Sequence, residues 1–177
     1  DGVLELPRGD FRITKPLVID LTSRGRRGIT GAAGTTRLIM DGPGPAVRLV
    51  GDHRGTAVPA SQSKQTIDSE RFPVIAWLEI FGQHPEAVGV ELRKTMQATV
   101  YHVLIRDCRH AVHLVERNRN FLLVNSHLYN NHEYGVFFDR CNLHQTIISA
   151  NHISYCHKAG IRSIGGDVHN LHITGND

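Results

Sequence analysis

The sequence has little of three features that would narrow its function at once. It has no run of about 18 apolar residues, the length that a membrane-spanning helix requires. Its net charge is only +3, and the charges are scattered, so a nucleic-acid partner is not expected. Its three cysteines lack CxxC spacing, which favours small buried thiols over a disulfide with Cys141 or a metal site. We therefore expect no membrane span, no nucleic-acid partner and no cofactor.

The sequence also lacks a secretory signal and any strong bias in composition. Apolar residues make up 40% and charged residues 21%, which is ordinary for a globular protein, and 17 glycines suit a fold with many bends. These values predict one domain over residues 1–177. The chain opens and closes within strand-like segments, so we interpret it as a fragment of a longer protein.

The chain does contain an internal repeat. The segment FLLVNSHLYNNHEYGVFF, which starts at Phe121, aligns with TIISANHISYCHKAGIRS, which starts at Thr146, and a second step of the same length places Ile148 on Ile173. Gly135, within the first of these segments, and Ala111 and Gly89, before it, are each followed by an apolar-x-apolar triplet. A period of roughly 22–25 residues is typical of a solenoid. The alignment predicts that Leu123, Ile148 and Ile173 share one buried column, and that Val112, Val136 and Ile161 share another.

Two kinds of solenoid have this period. Leucine-rich repeats need a helix or a tight helical turn after their asparagine. Here Asn151 is followed by His157-Lys158-Ala159-Gly160 and a second strand-like run, and strong helix formers are missing. The pattern instead favours a parallel β-helix with three short strands per coil, in which Asn occupies a tight bend where a left-handed conformation is tolerated.

The N-terminal segment carries a family resemblance. Leu6-Pro7-Arg8-Gly9-Asp10-Phe11-Arg12-Ile13, followed by the apolar strand Leu17-Val18-Ile19, resembles the opening coil of the pectate-lyase-like right-handed β-helix superfamily. The resemblance implies an all-β, right-handed parallel β-helix, which the repeat length divides into about six to seven coils. It further implies an extracellular or cell-envelope protein that acts on an acidic polysaccharide.

The repeat lapses between Gly51 and Phe72. This segment is polar, with Pro59 and a centre rich in Ser and Gln, and it predicts a long loop budding from the coils. Such a loop either walls a binding groove or is a solvated insertion.

The outward positions of the strands after Gly89, Ala111, Gly135 and Gly160 predict a ligand-binding surface. Equivalent outward residues of successive coils stack about 4.8 Å apart, so they form rows. These rows bring an acid, an imidazole, an aromatic ring and a guanidinium together, which suits stacking on sugars and pairing with uronate or sulfate. The alternative is a solvated strand face with cross-coil ion pairs. The predicted ribbon consists of Glu91, His113, Phe137, Asp139 and Arg162.

No catalytic motif accompanies this surface. The Asn-Thr-Asp, Asp-Asp and Gly-His-Gly phrases of polygalacturonase-like members and the Arg-x-Pro-x-x-Arg phrase of pectate-lyase-like members do not occur. Glycoside hydrolysis needs two carboxylates about 5–9.5 Å apart, and the ribbon acids do not pair at equivalent positions of adjacent coils. Two function classes therefore stay open. One is a polysaccharide lyase or glycoside hydrolase, and the other is a non-catalytic surface, adhesion or scaffold module.

Histidines repeat with the same period. His127, His152 and Asp177 lie one repeat apart from each other, a set whose side chains could ligate a divalent metal, although duplication of coils explains the spacing equally well. Arg119, His144 and His169 are spaced alike.

The last predicted coil carries no covering element. Each coil of a solenoid shelters only its neighbours, so uncovered coils are prone to associate. We therefore expect end-to-end self-association of the 177-residue chain.

Overall fold

The computed structural model describes residues 2–177, apart from the side chain of residue 24. Its strands run in the order β1 (Gly2–Leu6), β2 (Gly9–Ile13), β3 (Leu17–Asp20), β4 (Arg27–Gly31), β5 (Thr36–Met40), β6 (Gly44–Val50), β7 (Val74–Ala76), β8 (Glu79–Gly82), β9 (Ala87–Arg93), β10 (Thr99–Tyr101), β11 (Leu104–Arg106), β12 (His110–Val124), β13 (His127–Tyr129), β14 (Tyr134–Ser149), β15 (His152–Ser154), β16 (Ala159–Ile164) and β17 (Asp167–Thr174).

The strands stack into three parallel ladders. Ladder 1 contains β1, β4, β7, β10, the second halves of β12 and β14, and β17. Ladder 2 contains β2, β5, β8, β11, β13 and β15. Ladder 3 contains β3, β6, β9, the first halves of β12 and β14, and β16. One strand from each ladder makes a coil, and about seven coils make the solenoid. The predicted fold class, a parallel β-helix, is confirmed.

Single residues in the left-handed conformation turn the chain from one ladder to the next. Trp77, His102, Asn125 and Ala150, with φ between 48 and 60°, stack at the corner between ladders 1 and 2. A second corner stacks Lys94, Glu116 and Arg140, with φ between 44 and 59°, and bends the chain from ladder 3 into ladder 1. Because adjacent coils bend at matching positions, the strands on either side stay in register.

The core is made of inward columns. Register pairs Ile29, Ile75, Val100, Leu123, Ile148 and Ile173 along ladder 1. The first five are fully buried, so the predicted column is right in register. Ile173 is the exception, because it is 46% exposed on β17, the outermost described strand of ladder 1. Along ladder 3, Val112, Val136 and Ile161 align as predicted, and Ile161 is only half-buried.

Buried asparagines join neighbouring coils. Asn151 Oδ1 accepts a hydrogen bond from Ser126 N at 3.0 Å, and Asn151 Nδ2 donates to Leu123 O at 2.9 Å. Asn131 and Asn118 do the same for Cys108 N and Thr95 N. The prediction that Asn occupies a bend in the left-handed conformation is right at Asn125 and fails in the next coil, where Ala150 has this conformation and the Asn151 amide satisfies buried backbone groups beside it.

The loop between β6 and β7 is ordered against the coils. It contains a 3-10 turn (Pro59–Ser61) and a π-helical turn (Thr66–Glu70). Its start is fixed by His53 N donating to Lys94 O at 3.0 Å, and its end by Phe72 N donating to Met96 O at 3.1 Å. Buried Glu70 links both ends, because its Oε2 accepts from Asp52 N at 2.6 Å, and burial raises the pKa of its carboxyl.

Helices are minor in the described chain. Besides the two turns in the loop there is one short α-helix, α1 (Leu21–Arg24), and no described helix is long and apolar enough for a membrane crossing. Cys108, Cys141 and Cys156 are free thiols, and the first two are buried.

Candidate functional site

The predicted ribbon lies on the outer face of ladder 3. Register places Glu91, His113, Phe137 and Arg162 in one row, with Asp139 in a second row beside it. The row continues below Glu91 to Arg48. The alignment of these side chains on neighbouring coils therefore agrees with the repeat.

The ribbon is packed against itself. Glu91 is 6% exposed and accepts a hydrogen bond from Arg48 Nε at 2.8 Å, with Arg93 Nη2 at 3.4 Å. His113 Nε2 lies 3.4 Å from Asp139 Oδ2. The outer face of ladder 3 thus carries polar contacts between coils. Such contacts were the alternative to a ligand-binding surface in the sequence analysis.

Phe137 is covered by other rings. It is 8% exposed, so the expectation of an open aromatic platform is wrong. His113 stacks on it with ring centroids 5.3 Å apart and an interplanar angle of 4°. His110 and Tyr134, from the row beside it, approach it to 5.0 and 4.7 Å. Burial lowers the pKa of His110 to about 4 and also lowers the pKa of His113, so both rings are neutral at pH 7.

Arg162 is the one exposed member of the ribbon. Although it is paired in register with Phe137, the cation–π contacts in the described chain are Arg106 over Phe81 and Lys158 over Tyr134. Arg162 therefore makes no cation–π contact with Phe137 in the described chain.

Open concave surface lies instead on ladder 1, beside the loop. A groove of about 410 Å³ runs across the second halves of β12 and β14, and the last residue of the loop, Phe72, stands at its side, 72% exposed. We call it the Phe72 groove. Its lining is Phe72, Gln97, Thr99, Asn120, Phe121, Leu122, Gln145, Thr146, Ile147 and His172.

The floor of the Phe72 groove combines amides with apolar side chains. Gln97, Asn120 and Gln145 share the left-handed conformation, and the Asn120 amide donates to Gln145 Oε1. Thr146 Oγ1 is buried and has no hydrogen-bond partner in the described chain. An exposed ring beside a row of amides and hydroxyls has the composition of a surface that stacks sugar rings and binds their hydroxyls.

A second cavity of about 260 Å³ adjoins the groove. The start of the loop lines one side of this cavity, and the residues of β12, β14 and β17 that precede those of the groove line the other. We call it the Arg117 pocket. Its lining is His53, Gly55, Thr56, Ala57, Arg117, Asn118, Asn142, Leu143, His144, Asp167 and His169.

Positive charge dominates the Arg117 pocket. Burial, and then the charges of Arg117 and Arg119, lower the pKa of His53 to about 4, against a smaller opposing effect of Gln62. The pKa of His144 is lowered by desolvation and by Arg119 and His169. Asp167 is the one carboxylate in the described lining of either cavity, and its Oδ2 lies 2.9 Å from His169 Nε2.

The side chains of His127, His152 and Asp177, the possible metal ligands noted in the sequence, do not form a metal site in the described chain. The His127 and His152 rings are 5.8 Å apart, and His152 Nδ1 lies 3.2 Å from Asp177 Oδ1. Among residues 2–177, no group of three or more His, Cys, Asp or Glu side chains is placed to hold a metal ion.

Sequence and structure comparisons agree with this architecture. A family model described as a right handed beta helix region matches residues 60–177. The chain belongs to this right-handed β-helix family. No curated protein sequence matches the chain.

Two solved structures resemble the chain in fold and are distant from it in sequence. The Agl-KA catalytic domain superposes on 95% of this chain with a TM-score of 0.69 and 13% identity. ORF18 of Geobacillus virus E2 superposes on 94% of it with a TM-score of 0.61 and 17% identity. The chain spans 29% and 33% of these two structures, respectively. These likenesses show the fold.

Sequence reasoning missed Phe72, Gln145 and Arg117 as possible site residues. One signal was present: Arg119, His144 and His169 recur with the period of the repeat, and they do align along ladder 1. Whether these residues line a cavity depends on the position of the loop, and the repeat does not predict that position.

Proposed function

We propose that this β-helix region binds a polysaccharide chain in the Phe72 groove. The observation that carries the proposal is an exposed aromatic ring held at the side of a 410 Å³ groove whose floor is a row of amides. The ring offers a face for a sugar, and Gln97, Asn120 and Gln145 offer donors and acceptors to its hydroxyls. The loop therefore acts as a wall of the groove.

We further propose that the parent protein is carbohydrate-active, secreted or held at the cell envelope, and directed to acidic glycans. The Agl-KA catalytic domain supports the first part, because it carries catalysis on the same fold. The resemblance of residues 6–19 to the pectate-lyase-like superfamily supports the rest.

Binding rather than cleavage is the role proposed for the groove itself. Glycoside hydrolysis uses two carboxylates across the scissile bond. In the described lining of the two cavities Asp167 stands alone, and the ladder 3 carboxylates Glu91 and Asp139 are held by arginine or histidine. We therefore place the glycan on ladder 1 and give the ladder 3 ribbon a structural role.

Substitution of the exposed ring tests the groove. Loss of one stacked ring is worth about 1 kcal/mol, so Phe72→Ala should weaken binding of an acidic oligosaccharide roughly fivefold or more in calorimetric titration. The matched control is Tyr155→Ala, which removes an exposed ring at another corner of the solenoid. Equal affinities of wild type and Phe72→Ala, together with loss of binding in Arg162→Ala, would move the site back to the ladder 3 ribbon.

A further inference from the structure

Two arginines under the loop have no carboxylate partner in the described chain. Arg119 is 8% exposed, and Arg117 is half-buried. The ion pairs formed within residues 2–177 include neither of them. Buried guanidinium groups are normally paired, because removal of a charge from water is costly unless an opposite charge compensates it. The two arginines therefore leave positive charge uncompensated at this point of the surface.

The two arginines differ in what their donors do. Arg119 donates from Nη1 to Thr56 O at 2.7 Å and from Nη2 to Ala57 O at 3.1 Å, so its guanidinium fastens the loop. Arg117 donates from Nη1 to Gly55 O at 2.9 Å, its one hydrogen bond in the described chain. A guanidinium has five N–H donors. The other four N–H donors of Arg117 make no hydrogen bond in the described chain, and Arg117 lines the pocket.

Other groups around the pocket also suit an anion. His53 is 2% exposed, and its Nδ1 has no hydrogen-bond partner in the described chain. His144 Nδ1, on the pocket floor, has none either. Both atoms can donate to an anion when they carry the proton.

The nearby carboxylates are mostly engaged. Glu116 pairs with Arg93 and Lys94, and Asp52 pairs with Arg54. Asp167 lies at the mouth of the pocket, exposed and beside His169, and it is the one charge there that opposes an anion. Two guanidiniums against one exposed carboxylate leave the pocket positive.

We propose that the Arg117 pocket binds the anionic substituent, carboxylate or sulfate, of an acidic glycan whose sugar rings lie in the Phe72 groove. This proposal rests on the proposed function and adds a specificity site to it. Arg117 would hold the anion by charge-assisted hydrogen bonds, which have the strength and direction to select a charged sugar over a neutral one. Arg119 is a positioning residue, because it acts through the loop carbonyls.

The two cavities are close enough to serve one ligand. Leu143 and His144 line the pocket, and the next residues of β14, Gln145 and Thr146, line the groove. Two residue steps, at most about 7 Å of chain, separate His144 from Thr146, with the left-handed Gln145 between them. A short oligosaccharide can therefore reach both cavities.

The test compares tetragalacturonate with its fully methyl-esterified form, which has the same rings and no charge. Arg117→Gln should weaken binding of the acidic tetramer about tenfold or more and leave the affinity for the ester unchanged. Arg12→Gln, which removes an equal charge from an exposed position on β2, is the matched control and should bind both as wild type does. Arg117→Lys keeps the charge and should recover part of the affinity, and thermal melting of each variant checks that it is folded.

A second arm needs no oligosaccharide. Sodium sulfate and sodium galacturonate are titrated separately while the imidazole NMR signals of His53, His144 and His169 are followed. We expect these signals to shift in wild type and to stay in place in Arg117→Gln, and the anion that acts at lower concentration identifies the preferred substituent.

The outcomes separate the two proposals. If neither anion shifts these histidines and Arg117→Gln binds the acidic tetramer as wild type does, the pocket is not an anion site, even where Phe72→Ala still upholds the groove. If the anions act through Arg117 but no tetramer binds, the anion site stands and the polysaccharide proposal fails.

Discussion

Adjacent isoleucines on β14 face opposite ways. Ile148 is fully buried in the ladder 1 column, and Ile147 is exposed on the outer face. Ile148→Ala leaves a cavity between Leu123 and Ile173, so we expect the free energy of unfolding to fall by about 2–5 kcal/mol. Ile147→Ala should lower it by less than about 1 kcal/mol. Urea denaturation of both variants measures the difference, and similar losses would contradict the assigned facing of β14.

Two buried histidines predict how stability depends on pH. Burial lowers the pKa of His53 and of His110 from 6.5 to about 4 in the folded chain. Between these values the unfolded chain binds more protons, so acidification favours unfolding. Each histidine should remove up to about 3 kcal/mol of unfolding free energy as the pH falls from 6.5 to 4, with little further loss from it below 4.

The change His110→Phe isolates one of these contributions. Phenylalanine keeps a ring against Tyr134 and Phe137 but does not titrate, so the variant should lose less stability than wild type over this pH range. His157→Gln, at an exposed position, is the control and should follow wild type. A pH profile of His110→Phe that parallels wild type would show that Glu133, 3.9 Å from His110 Nε2, compensates for burial.

The middle of the loop is held against the coils by arginine side chains, chiefly by Arg119, with Arg117 donating to Gly55 O. Arg119 holds the carbonyls of Thr56 and Ala57, whereas the ends of the loop are held by backbone hydrogen bonds. Arg119→Gln should therefore loosen the middle of the loop, with faster proteolysis between residues 54 and 62, and leave exchange of the ladder amides unchanged. Arg12→Gln serves as control, and equal cleavage rates would show that the loop holds its own conformation.

The strands and their columns were predictable from the sequence because inward residues recur at the same place in successive repeats. The covering of Phe137 was not, because strict alternation fails at the start of β12. Ala111 and Val112 are consecutive and both buried in the core, so His110 falls on the outer face with His113 and covers Phe137. The direction in which the side chains face after such a break in alternation cannot be read from the hydrophobic pattern.

Most corners were also unpredictable from the sequence, although Asn125 follows the expected preference. Trp77, Glu116, Arg140 and Ala150 all adopt the left-handed conformation, although Gly or Asn is the residue expected there. Ladder contacts on both sides of each corner fix the bend, so residue type carries little information. The path of the loop, which lines both cavities, could not be derived from its composition either, because contacts with other coils determine it.

At the scale of the whole molecule, contacts join each coil to the ones before and after it. Stability then builds up as a sum over coils and their interfaces. Exposed Leu171 and Ile173 mark one of the two end coils of the described chain, and exposed Val3 and Leu4 mark the other, so end-to-end self-association through these faces stays a prediction. Sedimentation at rising protein concentration is the measurement that checks it.

The parallel ladders also determine how the protein would respond to tension. Strands lie across the solenoid axis, so a pull along that axis loads one interface between coils at a time, as in a zipper. Each interface that opens frees about 24 residues, or roughly 80 Å of extended chain, except that the coil carrying the loop between β6 and β7 frees about 46 residues, or roughly 155 Å. The scaffold would therefore lengthen in nearly equal increments with one longer step at the loop-bearing coil, and would yield coil by coil without losing the whole binding surface at once.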